Sequence, residues 1–126
     1  MTSARREEVS PTVSPTDGLP DEHVHGDAHA VAAEATAYQR AARLFHAAGD
    51  PERLRLLVEL TVGERCVTEL AEVTAANMST VSQRLRVLRD AGLVDRRRHG
   101  KHLHYFLADD HVRDLVHNAV THADEL

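Results

Sequence analysis

The chain has 126 residues, of which 42% are apolar and only 3% aromatic, a composition that suits one small domain with an aliphatic core. It has no run of about 18 consecutive apolar residues and no basic-then-apolar N-terminal segment. We therefore expect a cytoplasmic protein that neither enters a membrane nor is exported. The one cysteine, Cys66, excludes an intrachain disulfide and is either a ligand or a small core residue.

Charge is distributed unevenly along the chain. The formal net charge is -5, which alone would argue against nucleic acid as a partner. Residues 77–107, here called the basic segment, nevertheless carry seven arginine and lysine residues against two aspartates, a net of +5. The acidic excess lies in the first thirty and last eighteen residues. The basic segment therefore predicts contact with phosphate, and the acidic ends could attract cations.

The N-terminal half predicts an arm followed by two helices. Residues 1–27 contain Pro11, Pro15 and Pro20 among polar residues and are predicted to be a disordered arm rich in His and acid. Residues 28–48 are rich in alanine and predict a helix that ends at Gly49. Asp50-Pro51-Glu52 has the order of an N-cap, a first-turn proline and a first-turn acid, so it predicts a second helix that ends near Gly63.

A helix-turn-helix is predicted next. Thr68 can cap a short helix over residues 69–73, and Ser79 can cap another with apolar residues at helical spacing. Gly92 stands where a left-handed C-cap is least strained.

The period then changes to that of strands. Residues 93–98 and 101–107, with a turn at His99-Gly100, predict a β-hairpin. A last helix is expected from Asp109 or Asp110 almost to the C-terminus. The predicted fold is mainly α with a β-hairpin wing (α+β), a winged helix-turn-helix domain over residues 28–126.

Three short strings carry a resemblance to a known family. Residues 50–57, Asp-Pro-Glu-Arg-Leu-Arg-Leu-Leu, and the later strings Val81-Ser-Gln-Arg-Leu and Leu88-Arg-Asp-Ala-Gly-Leu-Val resemble the ArsR/SmtB family of metal-sensing repressors. The resemblance covers about residues 41–125. It implies a homodimer built from the first and last helices, with the Ser79 helix in the major groove of double-stranded operator DNA and the wing along the backbone.

The residues themselves also favour DNA binding. Small polar side chains at the start of the Ser79 helix can approach base edges; they are Ser79, Thr80, Ser82 and Gln83. Cations that follow can hold phosphates; they are Arg84, Arg86, Arg97, Arg98 and Lys101. Gln83 replaces a His found in many members of the family, and it can still read adenine with both amide atoms.

The last helix carries a ligand pattern of Asp109, His111, His122 and Glu125. His111 and His122 fall within about 20° of each other around the helix but about 16 Å apart along it. Ligands of one metal lie within about 4 Å of one another, so one helix cannot close the site. Two antiparallel copies could form two symmetric sites across a dimer interface. Two imidazoles and two carboxylates are typical of Zn(II), and zinc sensors of the family use this pattern.

The resemblance suggests two further features. One is allosteric coupling, in which His122 donates to a backbone carbonyl near Gly92. The other is a second metal site at Cys66 and Glu69, where some members place ligands, completed by His23, His25 or His29 from the arm. The arm lacks the cysteine that related arms use. His99, His102 and His104 are instead interpreted as surface residues of the wing.

Two alternatives stay open, and a third is disfavoured. A nickel or cobalt sensor is possible because added arm histidines could raise the coordination number. A metal-independent winged-helix DNA-binding dimer would ignore the ligands of the last helix. A zinc hydrolase is disfavoured, because four protein ligands leave no open position and no nucleophile constellation is present; we therefore expect a protein that is not an enzyme.

Overall fold

Eight elements follow one another in the computed structural model, which describes residues 28–126. They are α1 (Ala28–Ala48), α2 (Pro51–Val62), β1 (Arg65–Cys66), α3 (Val67–Thr74), α4 (Met78–Asp90), β2 (Val94–His99), β3 (His102–Leu107) and α5 (Asp110–Asp124). The predicted arm lies outside the described residues, with His23 and His25, as does the side chain of His29. The order of helices and hairpin confirms the predicted winged helix-turn-helix class.

Helix α2 begins as the sequence indicates. The Asp50 carboxylate accepts hydrogen bonds from the backbone N–H groups of Glu52 and Arg53, at 3.1 and 3.0 Å, and Pro51 occupies the first helical position. Both features satisfy or remove backbone donors that a helix leaves unpaired at its start. Helix α1 likewise ends at Ala48, directly before Gly49.

The caps of the helix-turn-helix differ from the prediction. Helix α3 begins after Cys66 rather than Thr68, and α4 begins after Asn77 rather than Ser79. The Asn77 side chain accepts from the N–H of Thr80 at 2.8 Å. Asn and Ser cap equally well, and the earlier of the two does so here. The prediction of Thr68 and Ser79 as caps was wrong, and Ser79 lies in the first turn of α4.

The end of α4 is fixed by two backbone hydrogen bonds that form a Schellman motif. The N–H of Gly92 donates to the carbonyl of Arg89, and the N–H of Leu93 donates to that of Leu88, both at 3.0 Å. Gly92 has a φ of 84°, the left-handed conformation that this Schellman arrangement needs. Leu88 and Leu93 are both fully buried, so the same turn anchors α4 in the core. The expected role of Gly92 is confirmed.

The sheet has three antiparallel strands in the order β1-β3-β2. The short strand β1, which the sequence did not reveal, pairs Cys66 with His104. In the hairpin, His99 pairs with His102, so the turn residues are Gly100 and Lys101 rather than His99 and Gly100. Gly100 has a φ of 61°, as tight hairpin turns require.

Residues 40–126 form one compact unit, and α4 is anchored in its core. Three apolar side chains of α4 are fully buried, namely Val81, Leu85 and Leu88. They pack with leucines of α2 and α3 in one cluster that also includes Val112 and Val116 of α5. The opposite face of α4 is thereby held toward solvent. Within residues 28–126, no helix is long and apolar enough to cross a membrane.

Candidate DNA-binding surface and metal half-sites

The exposed face of α4 carries four of the six α4 residues predicted to meet DNA. Ser79, Ser82, Gln83 and Arg86 are exposed, while Thr80 and Arg84 are half-buried at the flanks of the helix. Because α4 buries Val81, Leu85 and Leu88, the helix period alone puts the small polar residues on the outer face. The first turn of α4 is therefore open to a groove of DNA.

A depression of about 690 Å³ separates α4 from the wing. Ser82, Gln83 and Arg86 line one side, and Arg96, Leu103 and Tyr105 line the other. Arg98 and Lys101 line a neighbouring depression of about 230 Å³, which also includes Ser82 and Met78. The structure thus brings Ser82, Gln83 and Arg86 of α4 to the same surface as Arg98 and Lys101 of the wing.

Arg97 lies on the other face of the hairpin. Its Nε lies 3.1 Å from a carboxylate oxygen of Glu64, and its guanidinium carbon lies 4.3 Å from the centre of the Phe106 ring. Successive strand residues point to opposite faces, so Arg96 and Arg98 face α4 while Arg97 does not. Counting in steps of two from the buried Val94 would have assigned Arg96, which the sequence analysis missed, to this surface.

Two of the predicted metal ligands lie together at the start of α5. The Nδ1 of His111 is 3.7 Å from Oδ1 of Asp109, and the His111 side chain is 97% exposed. Oδ1 of Asp109 also accepts a hydrogen bond from the N–H of Val112 at 3.0 Å, so Asp109 caps the helix. An imidazole and a carboxylate are thus available as neighbours on the surface; they form what we call the N-terminal half-site.

The other two predicted ligands stand at the opposite end of α5. His122 lies in its last turn and Glu125 is its C-cap, and both are exposed; we call them the C-terminal half-site. Eleven residues of helix separate His111 from His122, or about 16 Å. Among residues 28–126, no three His, Cys, Asp or Glu side chains of one protomer are grouped so that they could hold a metal.

The residues of the predicted second site have a structural role. The backbone N–H of Cys66 donates to Oε1 of Glu69 at 2.9 Å, which makes Glu69 the returning arm of a capping box for α3. This bond from Cys66 lowers the pKa of Glu69. A lowered carboxyl pKa means that the bond contributes stability near neutral pH and is lost as pH falls through that pKa. Cys66 is half-buried.

Two of the three wing histidines, His99 and His104, contact Glu64. The Nε2 of His99 lies 3.0 Å from Glu64 Oε2, and the Nδ1 of His104 lies 3.8 Å from it. The rings of His99 and His104 meet edge to face with centroids 4.8 Å apart. Together with Arg97, these contacts tie the outer face of the wing to the residue before β1.

The fold, with an exposed polar recognition helix beside a cationic hairpin, defines a winged helix-turn-helix DNA-binding protein. Residues 50–96 match the family model for bacterial regulatory proteins of the arsR family. A transcriptional repressor SmtB homolog from Synechocystis is 42% identical over 69% of this chain and 66% of its own length. A cadmium resistance transcriptional regulatory protein CadC homolog from Staphylococcus aureus is 35% identical over 68% of this chain and 71% of its own length.

A solved structure agrees with these sequence matches. It is a homodimeric winged helix-turn-helix DNA-binding domain from Mycobacterium bovis, described as a possible ArsR-family transcriptional regulator. It superimposes with a TM-score of 0.70 at 35% identity, over 73% of this chain and 85% of the other. The chain belongs to the ArsR/SmtB family of transcriptional regulators.

Proposed function

We propose that this protein is a repressor that binds operator DNA as a homodimer in its metal-free form and leaves it when Zn(II) binds. The observation that carries the proposal is the division of the ligand pattern on α5. Asp109 and His111 stand at one end of the helix, and His122 and Glu125 at the other. Each end has one imidazole and one carboxylate, so two antiparallel copies of α5 would supply two sets of four ligands.

The donor set fits zinc. Imidazole nitrogen and carboxylate oxygen are ordinary zinc ligands, and the side chains of both half-sites are exposed and thus accessible. Zn(II), when bound, would join the α5 helices of two subunits. Within the chain, Asp109 holds the first turn of α5 through its bond to Val112, which also fixes where Asp109 presents its carboxylate.

An apolar surface supports dimerisation through the first and last helices. Phe45 of α1 is 62% exposed and Val120 of α5 is 40% exposed. Beside Phe45 lies a depression of about 150 Å³, which is also lined by the apolar side chains of Leu54, Leu115 and Ala119. Large apolar side chains clustered at the surface of a small domain are typical of an interface. We assign residues 28–126 to DNA binding and dimerisation, and residues 1–27 to an arm.

Coupling between metal and DNA is proposed to pass through the end of α4. The imidazole of His122 has a second nitrogen that could donate to a backbone carbonyl near Gly92, as such bonds commonly orient metal ligands. Gly92 ends the helix that carries the DNA-facing residues. A change in the placement of His122 would therefore shift α4, and the two recognition helices of the dimer would no longer match successive major grooves.

The relatives agree with a metal as effector. One is a homolog of the repressor SmtB, and another regulates cadmium resistance. In this chain, by contrast, the proposed α5 set holds no thiolate, the ligand that cadmium and other soft ions prefer. The oxygen and nitrogen set favours Zn(II) over softer ions, with Co(II) and Ni(II) as competitors.

The test is binding of the protein to its own promoter DNA, followed by fluorescence anisotropy while Zn(II), Co(II) or Ni(II) is added. We expect zinc to release the wild type and to leave His122→Gln bound. His117→Gln is the matched control, because His117 is also exposed on α5 but lies about 140° around the helix from His122.

Each other outcome has a distinct meaning. Release of His122→Gln by zinc as readily as the wild type would contradict the α5 site. Release by nickel or cobalt but not by zinc would identify the alternative sensor. Binding that no metal changes would leave a metal-independent DNA-binding dimer.

A further inference from the structure

The depression between α4 and the wing is lined by three arginines, Arg86, Arg89 and Arg96, and by one carboxylate, that of Asp90. Arg86 approaches from α4 and Arg96 from β2. Among the residues that the structure describes, neither forms an ion pair, whereas Arg89 and Arg97 are paired with Asp95 and Glu64 at 3.3 and 3.1 Å. Two free guanidinium groups facing one concave surface are suited to an oxyanion.

Arg96 is held in place by a buried tyrosine. Its Nη1 donates to the hydroxyl oxygen of Tyr105 at 3.3 Å, and Tyr105 is only 4% exposed. Arg96 and Tyr105 are directly opposite each other on β2 and β3, so the backbone register maintains the contact. The Tyr105 hydroxyl therefore holds the Arg96 guanidinium at the side of the depression.

Arg97, the next residue along β2, does not face this depression. Arg97 points to the opposite face, where Glu64 neutralises it and Phe106 stacks beneath it. His99 contacts the same carboxylate. Within residues 28–126, the hairpin therefore carries unpaired arginines on the face toward α4 and an arginine paired with Glu64 on the opposite face.

We propose that Arg86 and Arg96 form a cradle for one phosphate of the DNA backbone, and that Tyr105 is a positioning residue for Arg96. This inference rests on the proposed function, because it assumes that the protein binds DNA. In this proposal Arg96, rather than Arg97, is the wing arginine that contacts a backbone phosphate regardless of DNA sequence. A phosphate there would fix the register of α4 against the base edges.

The test compares two adjacent arginines as a matched pair, Arg96→Gln and Arg97→Gln, in operator binding at several salt concentrations. Loss of one phosphate contact should reduce the slope of log affinity against log salt by about 0.9. For Arg96→Gln this corresponds to about a fivefold to tenfold loss of affinity at 0.1 M salt, equal for operator and scrambled duplexes. Arg97→Gln should keep the wild-type slope, and its affinity should be within about twofold of the wild-type affinity.

Two further measurements identify the phosphate and the role of Tyr105. A single neutral methylphosphonate, moved along the operator backbone, should weaken the wild type at one linkage per half-site where it does not weaken Arg96→Gln. Tyr105→Phe keeps the packed ring and should lose part of the affinity in the wild-type background but none in Arg96→Gln. If Tyr105 were only a structural residue, Tyr105→Phe would reduce DNA affinity equally in the wild-type and Arg96→Gln backgrounds.

The outcomes separate this inference from the function on which it rests. Equal slopes for Arg96→Gln and the wild type, or a larger effect of Arg97→Gln, would overturn the cradle while leaving repression intact. Failure of the wild type to bind any duplex would refute DNA binding itself, and the cradle with it.

Discussion

At the scale of single residues, Asp109 has a capping role and a proposed role as a metal ligand, and substitution can separate the two. Its Oδ1 caps α5 through the N–H of Val112, and the same carboxylate lies beside the imidazole of His111. Asparagine caps a helix as well as aspartate does, but its neutral amide is a poor zinc ligand. Asp109→Asn therefore removes the proposed ligand and keeps the cap.

We expect the free energy of unfolding of Asp109→Asn to lie within about 0.5 kcal/mol of the wild-type value. Its affinity for zinc should be more than about tenfold weaker. Asp109→Ala should lose zinc affinity similarly and also lose about 1 kcal/mol of stability, because the cap is gone. Urea unfolding of the metal-free protein and competition with a zinc chelator measure the two effects. Unchanged zinc affinity in Asp109→Asn would remove Asp109 from the ligand set.

At the scale of elements, the turn between α3 and α4 contains a strained residue. Ala75 has a φ of 55°, a left-handed conformation that costs a residue with a Cβ about 1 kcal/mol relative to glycine. The N–H groups of Ala75 and Ala76 bond back to the carbonyls of Glu72 and Ala71. This arrangement ends α3 and directs the chain into α4, so it also sets the angle of the helix-turn-helix.

Ala75→Gly should stabilise the protein by about 0.5 to 1 kcal/mol, because it relieves this strain without removing a contact that the turn needs. The matched control is Ala76→Gly, whose φ is not positive and whose side chain packs against the core; it should destabilise. The measurement is urea unfolding of each variant at one protein concentration, since a dimer's stability depends on concentration. Destabilisation by Ala75→Gly would mean that its methyl group contributes more than the backbone strain costs.

Elements were easier to predict from the sequence than their boundaries. The two internal helices of the DNA-binding motif and the hairpin follow from apolar period and turn residues, but their caps did not. Thr68 and Ser79 are good caps in principle, yet Cys66 and Asn77 precede the helices. Asn77 and Ser79 have similar capping strength, so the sequence does not decide between them. Cys66 is not a usual cap, and at α3 its backbone N–H is instead bound by Glu69. The two-residue strand β1 has too few residues for any period.

In the candidate sites, too, some features followed from the sequence and others did not. The positions of His111 and His122 on one helix followed from their spacing, because a helix has a fixed rise and turn. The faces of Arg96 and Arg97 did not follow from the run of three arginines, because a strand's faces depend on which residue is buried. Val94 is that residue. The capping role of Glu69 was also missed, although Glu69 stands three residues after Cys66, the spacing of a capping box.

At the scale of the whole molecule, the proposed metal sites exist only between two subunits. Each protomer holds an N-terminal half-site, Asp109 with His111, and a C-terminal half-site, His122 with Glu125. One α5 helix cannot bring them together across about 16 Å. If two antiparallel copies do so, each complete site takes one half-site from each subunit. Mixing two defective variants should then restore a site that neither has alone.

The first variant is Asp109→Asn with His111→Gln, which inactivates the N-terminal half-site and keeps the cap. The second is His122→Gln with Glu125→Gln, which inactivates the C-terminal half-site. We expect each to bind no zinc as a homodimer. After equal mixing and subunit exchange, about half of the dimers combine both variants. Each such dimer has one intact site, formed by the N-terminal half-site of the second variant and the C-terminal half-site of the first.

The mixture should therefore bind about 0.5 zinc ions per dimer, against about two for the wild type, if exchange is complete. Differently tagged variants allow the mixed dimer to be isolated, and it should then bind about one. A site formed within one subunit would give no zinc in either sample, because every chain is defective. Both variants keep the exposed apolar residues Phe45 and Val120, so both should still form dimers. Co-purification of the two tags then shows that the subunits have exchanged. Recovery of zinc in the mixed dimer alone requires that the ligands of one site come from both chains.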